Sequence, residues 1–379
     1  MRIAYIGSAH PLRGGLAAFN ERLAKELQSS GHEVTLYSFS LQYPGFLFPG
    51  KTQYTDEPPP AGLRIRSIIN SINPLSWLKA GREIRRTKPD LILLKFWLPF
   101  MGPAFGTILR VAQRGGKVPV VCIVDNAIPH EKRPGDAAFT RYFLKAVDAF
   151  ICMSRDVLAD LRTLIQKPAL LSPHPLYDNY GDPVPQAEAR QKLSLPQGKP
   201  VVLFFGFIRD YKGLDLLLKA MADERIRRMG VQVLVAGEFY TDRKPTDELI
   251  QSLNLGDALH LHTDFIPERE VRTYFSAADL VVQPYRSATQ SGITQIAYHF
   301  DKPMVVTNVG GLPEVVPHGK TGLVAEPEPQ AIADAIVAFF EQGIPDVARH
   351  FAELKQQYSW ALFAEKVMEA RAEAQQASV

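Results

Sequence analysis

The fold turns on one stretch, Leu280-Val281-Val282-Gln283-Pro284-Tyr285-Arg286-Ser287-Ala288-Thr289-Gln290-Ser291-Gly292-Ile293-Thr294-Gln295-Ile296-Ala297-Tyr298. It begins as a short apolar strand, Leu280–Gln283, crosses a run of small or polar residues and resumes as a helix. A continuous apolar strand has no polar face to give to water, so it belongs in a parallel sheet covered by helices on both sides. The polar run then falls where such a sheet binds ligands, beyond the carboxyl ends of its strands. A helix start presents free N–H groups and the positive end of a dipole. Ser287, Thr289 and Ser291 add hydroxyl donors, where a plain helix cap needs only one. The segment predicts a cradle for a diphosphate.

The neighbouring segments repeat the pattern. Met304–Thr307 reads as a strand and is followed by Val309-Gly310-Gly311-Leu312-Pro313-Glu314, whose glycines permit close backbone approach. Glu314 at the next helix start either meets a ligand or simply complements the dipole. Upstream, Pro200–Phe205, Gln232–Ala236 and Leu259–His262 are strands, and Leu214–Met221 is a helix. Between Pro200–Phe205 and that helix lies Gly206-Phe207-Ile208-Arg209-Asp210-Tyr211-Lys212-Gly213. Arg209 and Lys212 stand beside two glycines at a strand end, where a phosphate would lie. Two surface cations on a solvated loop are the plainer account of the same residues. Ala331–Phe340 and Ala361–Glu373 are amphipathic helices.

The first half has the same organisation. Strand Arg2–Gly7 leads through Pro11-Leu12-Arg13-Gly14-Gly15 into the helix Leu16–Ser30, which carries Leu16, Phe19, Leu23 and Leu27 on one face and stops at Gly31. Glu33–Ser38, Leu91–Leu94, Val118–Val124 and Ala149–Met153 are further strands. Gly14 and Gly15 either bring backbone N–H groups to an anion or make a turn that needs positive φ. The loop is not Gly-x-Gly-x-x-Gly, and no acidic residue closes the second strand, which argues against a nicotinamide oxidoreductase. Tyr180–Gln197, rich in Pro, Gly and polar residues, reads as the link between halves. A chain of 379 residues therefore predicts two doubly wound α/β domains, residues 1–180 and 181–357.

The net charge of +3 conceals a division. Residues 1–180 hold 23 Lys and Arg against 14 Asp and Glu, while the remainder holds 20 against 26. The basic half is expected to meet something anionic, either phosphate groups or an anionic membrane surface, and no motif points to nucleic acid. Cys122 and Cys152 both lie in apolar runs and are expected to be buried thiols in a reducing compartment. No Cys/His cluster has metal-ligand spacing. The N-terminus lacks the apolar core of a signal peptide. The longest apolar run, Leu91–Phe105, is broken by Lys95, Pro99, Gly102 and Pro103, too soon to span a bilayer. These features lead us to expect a cytoplasmic chain that at most touches the inner face of a membrane.

Several segments together resemble the family 4 glycosyltransferases, which have the GT-B fold. They are the Gly14-Gly15 loop with its Leu-Ala helix, Gly31-His32-Glu33-Val34, Gly206 to Lys212-Gly213, the strand Ala278-Asp279-Leu280-Val281-Val282, and Lys302-Pro303-Met304-Val305-Val306-Thr307-Asn308-Val309-Gly310-Gly311-Leu312-Pro313-Glu314. The resemblance covers nearly the whole chain. It implies two Rossmann-like domains facing a central cleft, with the last helix, about 358–379, packed back on the first domain. It implies that the first domain binds the acceptor and the second the donor. The implied reaction moves a hexose-type sugar from a UDP- or GDP-linked donor to a glycan, lipid-linked or other hydroxyl acceptor, with retention of configuration and with neither metal nor cofactor.

Residue by residue, the resemblance places Lys212 on the donor phosphates. The arginine that the family has directly after the glycine is Phe207 here, and Arg209 stands in for it two residues on. The family's two glutamates fall at Ser287 and Gln295, so neither carboxylate is present, although Gln295 can still bond ribose hydroxyls. Thr289, Gln290, Ser291, Gly292, Ile293 and Thr294 then surround the diphosphate. Asp125 matches the family's aspartate near the reacting carbon. The histidine that precedes that aspartate in the family is Val124 here, and His130 follows five residues later. A helix cap for Asp125 and a surface-loop place for His130 are the alternatives. Lys95 to Met101 either lines the acceptor side or packs in the core. Two other functions fit a similar fold, a nucleotide-sugar epimerase and a nucleotide-sugar-binding protein without catalysis; the missing glutamates suggest the second.

Overall fold

The computed structural model describes residues 1–45, 52–128, 133–288 and 291–376. The chain divides into two compact units, Met1–Pro175 with Tyr358–Val379, and Leu176–Gln357. The division falls five residues ahead of the boundary expected at 181. The cause is local: residues with a linker's composition are tied to the second unit. Tyr177 lies against Gly292, where an added Cβ would meet its ring at 2.9 Å. The His299 ring bonds the Gly181 carbonyl at 2.8 Å, and the Val184 amide donates to Ser276 Oγ at 3.1 Å.

The first unit is built on a seven-stranded parallel sheet: β1 (Arg2–Ile6), β2 (Glu33–Leu41), β3 (Arg64–Asn70), β4 (Leu91–Phe96), β5 (Val120–Val124), β6 (Ala149–Cys152) and β7 (Ala169–Leu171). Their order is β3-β2-β1-β4-β5-β6-β7, so the winding reverses between β1 and β4. Strands β4, β5 and β6 are buried throughout, as continuous apolar runs require. Sequence reading does not find β3 or β7. β3 alternates arginine with isoleucine at a sheet edge, and β7 has only three residues. The helix Trp360–Gln376 belongs to this unit. Phe19, fully buried on the helix Gly15–Ser29, meets Trp360 at 5.1 Å and Phe363 at 5.6 Å between ring centroids. Cys122 and Cys152 are free, buried thiols, as expected.

The second unit has six parallel strands: β8 (Val201–Phe205), β9 (Gln232–Ala236), β10 (Leu259–His262), β11 (Leu280–Gln283), β12 (Met304–Thr307) and β13 (Gly322–Ala325). The order β10-β9-β8-β11-β12-β13 puts the reversal between β8 and β11. Sheets of this kind bind ligands at such a reversal, beyond the carboxyl ends of the strands. Among the described residues no helix is long and apolar enough to cross a membrane.

Candidate donor site in the second unit

The loop after β8 is shaped by glycine. Gly206 has φ +97°, and Gly237 beside it has φ +145°; a Cβ on Gly237 would lie 2.2 Å from the Gly206 carbonyl oxygen. The chain then makes one tight turn, Asp210–Lys212, and enters the helix Leu214–Ala220 through Gly213 at φ +65°. A Cβ on Gly213 would stand 2.0 Å from the Pro284 carbonyl oxygen, so only glycine lets the β8 and β11 loops touch backbone to backbone. Arg286 closes the contact. Its guanidinium forks onto Asp215 at 2.8 and 2.7 Å and donates to the Asp210 carbonyl, while its amide donates to the Tyr211 carbonyl at 2.7 Å.

Lys212 is held inside this junction, 9% exposed. Its ammonium lies 3.1 Å from where a Cβ on Gly206 would stand, and Ile293 from the β11 side reaches the same point at 3.2 Å. The Tyr285 ring lies 5.6 Å from the ammonium. Burial pulls the Lys212 pKa down to about 7, and the positive charge of Arg209 pulls the same way. Arg209 lies 5.1 Å over the Tyr240 ring. Phe207, where the family has its arginine, stacks on that same ring at 4.1 Å. Two cations thus sit at the carboxyl end of β8.

The β11 loop ends at Ser291, and the helix Gly292–His299 begins. The Ser291 side chain makes no capping bond; its hydroxyl shares a hydrogen bond with Tyr285 at 3.2 Å. Among the described residues no side chain caps the first amides of this helix, which suits them to an anion. The Thr294 hydroxyl is committed elsewhere. It is 1% exposed and exchanges hydrogen bonds with the Gln283 amide at 3.0 and 3.1 Å, because a buried glutamine at a strand end needs a partner. Of the three hydroxyls expected to line the cradle, Ser291 turns to a protein partner, Ser287 is partly exposed and Thr289 lies outside the described residues. Gln295 is 1% exposed, and its Oε1 has no hydrogen-bond partner among the described residues. Thr289 and Gln290 lie outside the described residues. Glu314 is exposed in the short helix Leu312–Val315 after β12.

In the first unit, Gly14 at φ +97° precedes the helix Gly15–Ser29, which has no side-chain cap, and Gly15 is exposed. Asp125 follows β5 directly. Its amide donates to the Phe96 carbonyl at 2.8 Å, and its Oδ1 lies 2.9 Å from the Lys95 ammonium. The next helix among the described residues begins at Asp136, so Asp125 caps none. Burial raises the pKa of Asp125, and Lys95 opposes that rise. His130 lies outside the described residues. The expectation that Lys95 to Met101 lines an acceptor surface is corrected for its main side chains. Phe96, Trp97 and Met101 are core, with Phe96 stacked on Phe143 at 4.5 Å and Trp97 Nε1 donating to the Tyr43 hydroxyl at 2.7 Å.

Sequence reasoning missed the strut Arg286–Asp215, the Tyr285 wall and the Lys95 partner of Asp125. Tyr285 and Arg286 stand inside the opening stretch, but only the strand order brings Asp215 beside them. Among the described residues no group of three His, Cys, Asp or Glu side chains is arranged to hold a metal ion.

Comparison with known proteins defines the class. Residues 13–170 match the model of Glycosyltransferase Family 4, and residues 185–369 match that of Glycosyl transferases group 1. Between them the two models cover most of the chain, which belongs to these glycosyltransferases. A D-inositol 3-phosphate glycosyltransferase of Corynebacterium urealyticum is 30% identical over 48% of this chain and 45% of its own length. The chain thus spans about half the length of that relative. The putative teichuronic acid biosynthesis glycosyltransferase TuaC of Bacillus subtilis is 24% identical over 94% of each chain. Among solved structures, Anabaena HepE in complex with UDP-glucose superposes with a TM-score of 0.73 over 97% of this chain and 98% of that one, at 17% identity, which establishes the GT-B fold.

Proposed function

We propose that the protein transfers a hexose-type sugar from a nucleoside-diphosphate donor to a hydroxyl of a glycan or lipid-linked acceptor, in polysaccharide or glycolipid synthesis. The observation that carries this reading is the pair Arg209 and Lys212 at the carboxyl end of β8, joined to the uncapped helix start at Gly292. The UDP-glucose bound by HepE, which has the same fold, and the teichuronic acid biosynthesis in the TuaC name support the same donor and product classes.

In this reaction the bond from the anomeric carbon to the diphosphate breaks and negative charge collects on the leaving phosphate. Arg209, Lys212 and the first amides of Gly292–His299 stabilise that charge. One preorganised donor of this kind contributes ~3–4 kcal/mol. The acceptor hydroxyl attacks on the face the phosphate leaves, so configuration is retained, and its proton passes to the departing phosphate oxygen. These cations take the place of a divalent ion, so turnover is expected to survive EDTA. Product NMR tests retention through the anomeric coupling. Lys212→Ala is expected to lower turnover at saturating donor about 100- to 1,000-fold; unchanged turnover would remove Lys212 from the site.

The acceptor side favours a membrane surface. The helix Pro74–Arg86 carries exposed Leu75 at its start, Ile72 is exposed just before it, and Lys79, Arg82, Arg85 and Arg86 lie exposed along it. Such a pairing of apolar and basic side chains suits an anionic leaflet. Co-sedimentation with vesicles of anionic lipid is expected at low salt, and its absence would leave a soluble acceptor.

A further inference from the structure

Lys95 is a buried ammonium with no part in the donor chemistry above. It is the penultimate residue of β4, and the parallel register pairs Phe96 with Val124 on β5. That register brings the lysine to Asp125, at 2.9 Å. The face of Phe19 lies on the ammonium's other side, 3.3 Å away at the ring centroid. The Asp125 amide bonds the Phe96 carbonyl, so its backbone is fixed to the strand that carries the lysine. Lys95 is 2% exposed, while the Asp125 side chain keeps 15% of its surface open. Among the described residues Asp125 Oδ2 has no hydrogen-bond partner. Burying an ion pair costs solvation that its attraction seldom recovers, and an apolar side chain of the same size would fill the space as well. Stability therefore does not account for the pair.

We propose that Lys95 is a positioning residue. It holds Asp125 ionised and in one orientation by gripping one carboxylate oxygen, which leaves the other to accept a hydrogen bond from a sugar hydroxyl of the acceptor. This rests on the glycosyl-transfer reading above. The surroundings concentrate the effect. Tyr5 on β1 and Cys122 on β5 are pushed up by burial, Cys152 on β6 is pushed up to about 12, and His174 after β7 is pushed down to about 3 by burial and by Lys95. All four are neutral near pH 7, and Trp360 and Phe363 beside Phe19 are apolar. Lys95 and Asp125 carry the charge there, and each offsets the cost of burying the other.

The test uses the full chain and Lys95→Met, which keeps the length of the stem and removes the charge. The Asp125 carboxyl is followed by carbon-13 NMR, its resonance identified by its loss in Asp125→Asn. In Lys95→Met its titration midpoint is expected to rise by at least about one pH unit. The acidic limb of kcat is expected to move with it, with donor KM unchanged. In the Asp125→Asn background, adding Lys95→Met is expected to change turnover less than about twofold, because a residue that acts through Asp125 has nothing left to position. That double variant leaves no unpaired charge and serves if Lys95→Met alone does not fold. An unmoved midpoint, or an equal loss of turnover in both backgrounds, would overturn the proposal. If wild type transfers no sugar from any donor, the transfer reading fails by itself, and the NMR midpoint still decides the Lys95–Asp125 linkage.

Discussion

Lys212 is the residue at which burial and charge meet most sharply. In the free protein its neutral and charged forms are balanced near pH 7, because burial and Arg209 both oppose the charge. A bound diphosphate reverses that opposition and returns the proton. Below pH 7 the ammonium is already present and binding costs nothing extra. Above pH 7 the donor must draw a proton from solvent, so affinity falls as pH rises, by up to about tenfold per pH unit. Calorimetric titration of a nucleoside diphosphate at pH 6, 7 and 8, in buffers of different ionisation enthalpy, is expected to show weakening affinity and proton uptake. Pairing Lys212 with a carboxylate would give a flat profile. The sequence offers Lys212 and Arg209 as candidates because of the flanking glycines. It offers nothing about the depressed pKa, since that depends on Ile293 and Tyr285 arriving from another strand. For the same reason the Ser291 hydroxyl reads as a ligand donor in the sequence, while its partner Tyr285 becomes visible only when helix and strand are packed.

At the scale of elements, the site is a junction between two loops, and its rigidity comes from Gly213 and Arg286. Gly213→Ala places a methyl group against the Pro284 carbonyl at a positive φ. The left-handed backbone alone costs about 1–2 kcal/mol for an L-residue, so denaturant melts are expected to show a loss above that figure. A loss under about 0.5 kcal/mol would mean that the loops do not touch. Arg286→Ala is different. Its guanidinium is 43% exposed, so its pair with Asp215 contributes under about 1 kcal/mol to stability. Its effect is expected in donor KM, which rises as the β8 loop is released from the β11 loop, with the melting curve little changed. The buried strands of both sheets were legible because each is a short apolar run between helices. Strands β3, β7 and β13 were not, since β3 carries its arginines at an edge, β7 is three residues long and β13 is a four-residue edge strand that begins on glycine. Edge strands answer to their neighbours more than to their own pattern.

At the scale of the molecule, the last helix completes the first unit. Trp360, Phe363 and Val367 are 3%, 1% and 0% exposed. Each contributes about 1.5–3 kcal/mol of burial, together comparable with the whole margin of a typical domain, about 5–15 kcal/mol. Removing residues 358–379 is expected to leave the chain insoluble or melting far earlier, and an unchanged melt would show that the helix is dispensable. The amphipathic spacing of Ala361–Glu373 revealed the helix, but its destination came only from the resemblance. The division of charge, basic before residue 180 and acidic after it, follows the two units closely. The central claim is that the second unit grips a nucleotide-sugar through Arg209 and Lys212. Thermal unfolding of wild type and Lys212→Ala with a panel of UDP-, GDP- and ADP-sugars tests it most directly. At 100 times its dissociation constant the true donor is expected to stabilise wild type by ~2.7 kcal/mol, and the Lys212→Ala protein far less at the same concentration. Equal stabilisation of both proteins, or none of wild type by any sugar in the panel, would contradict the account.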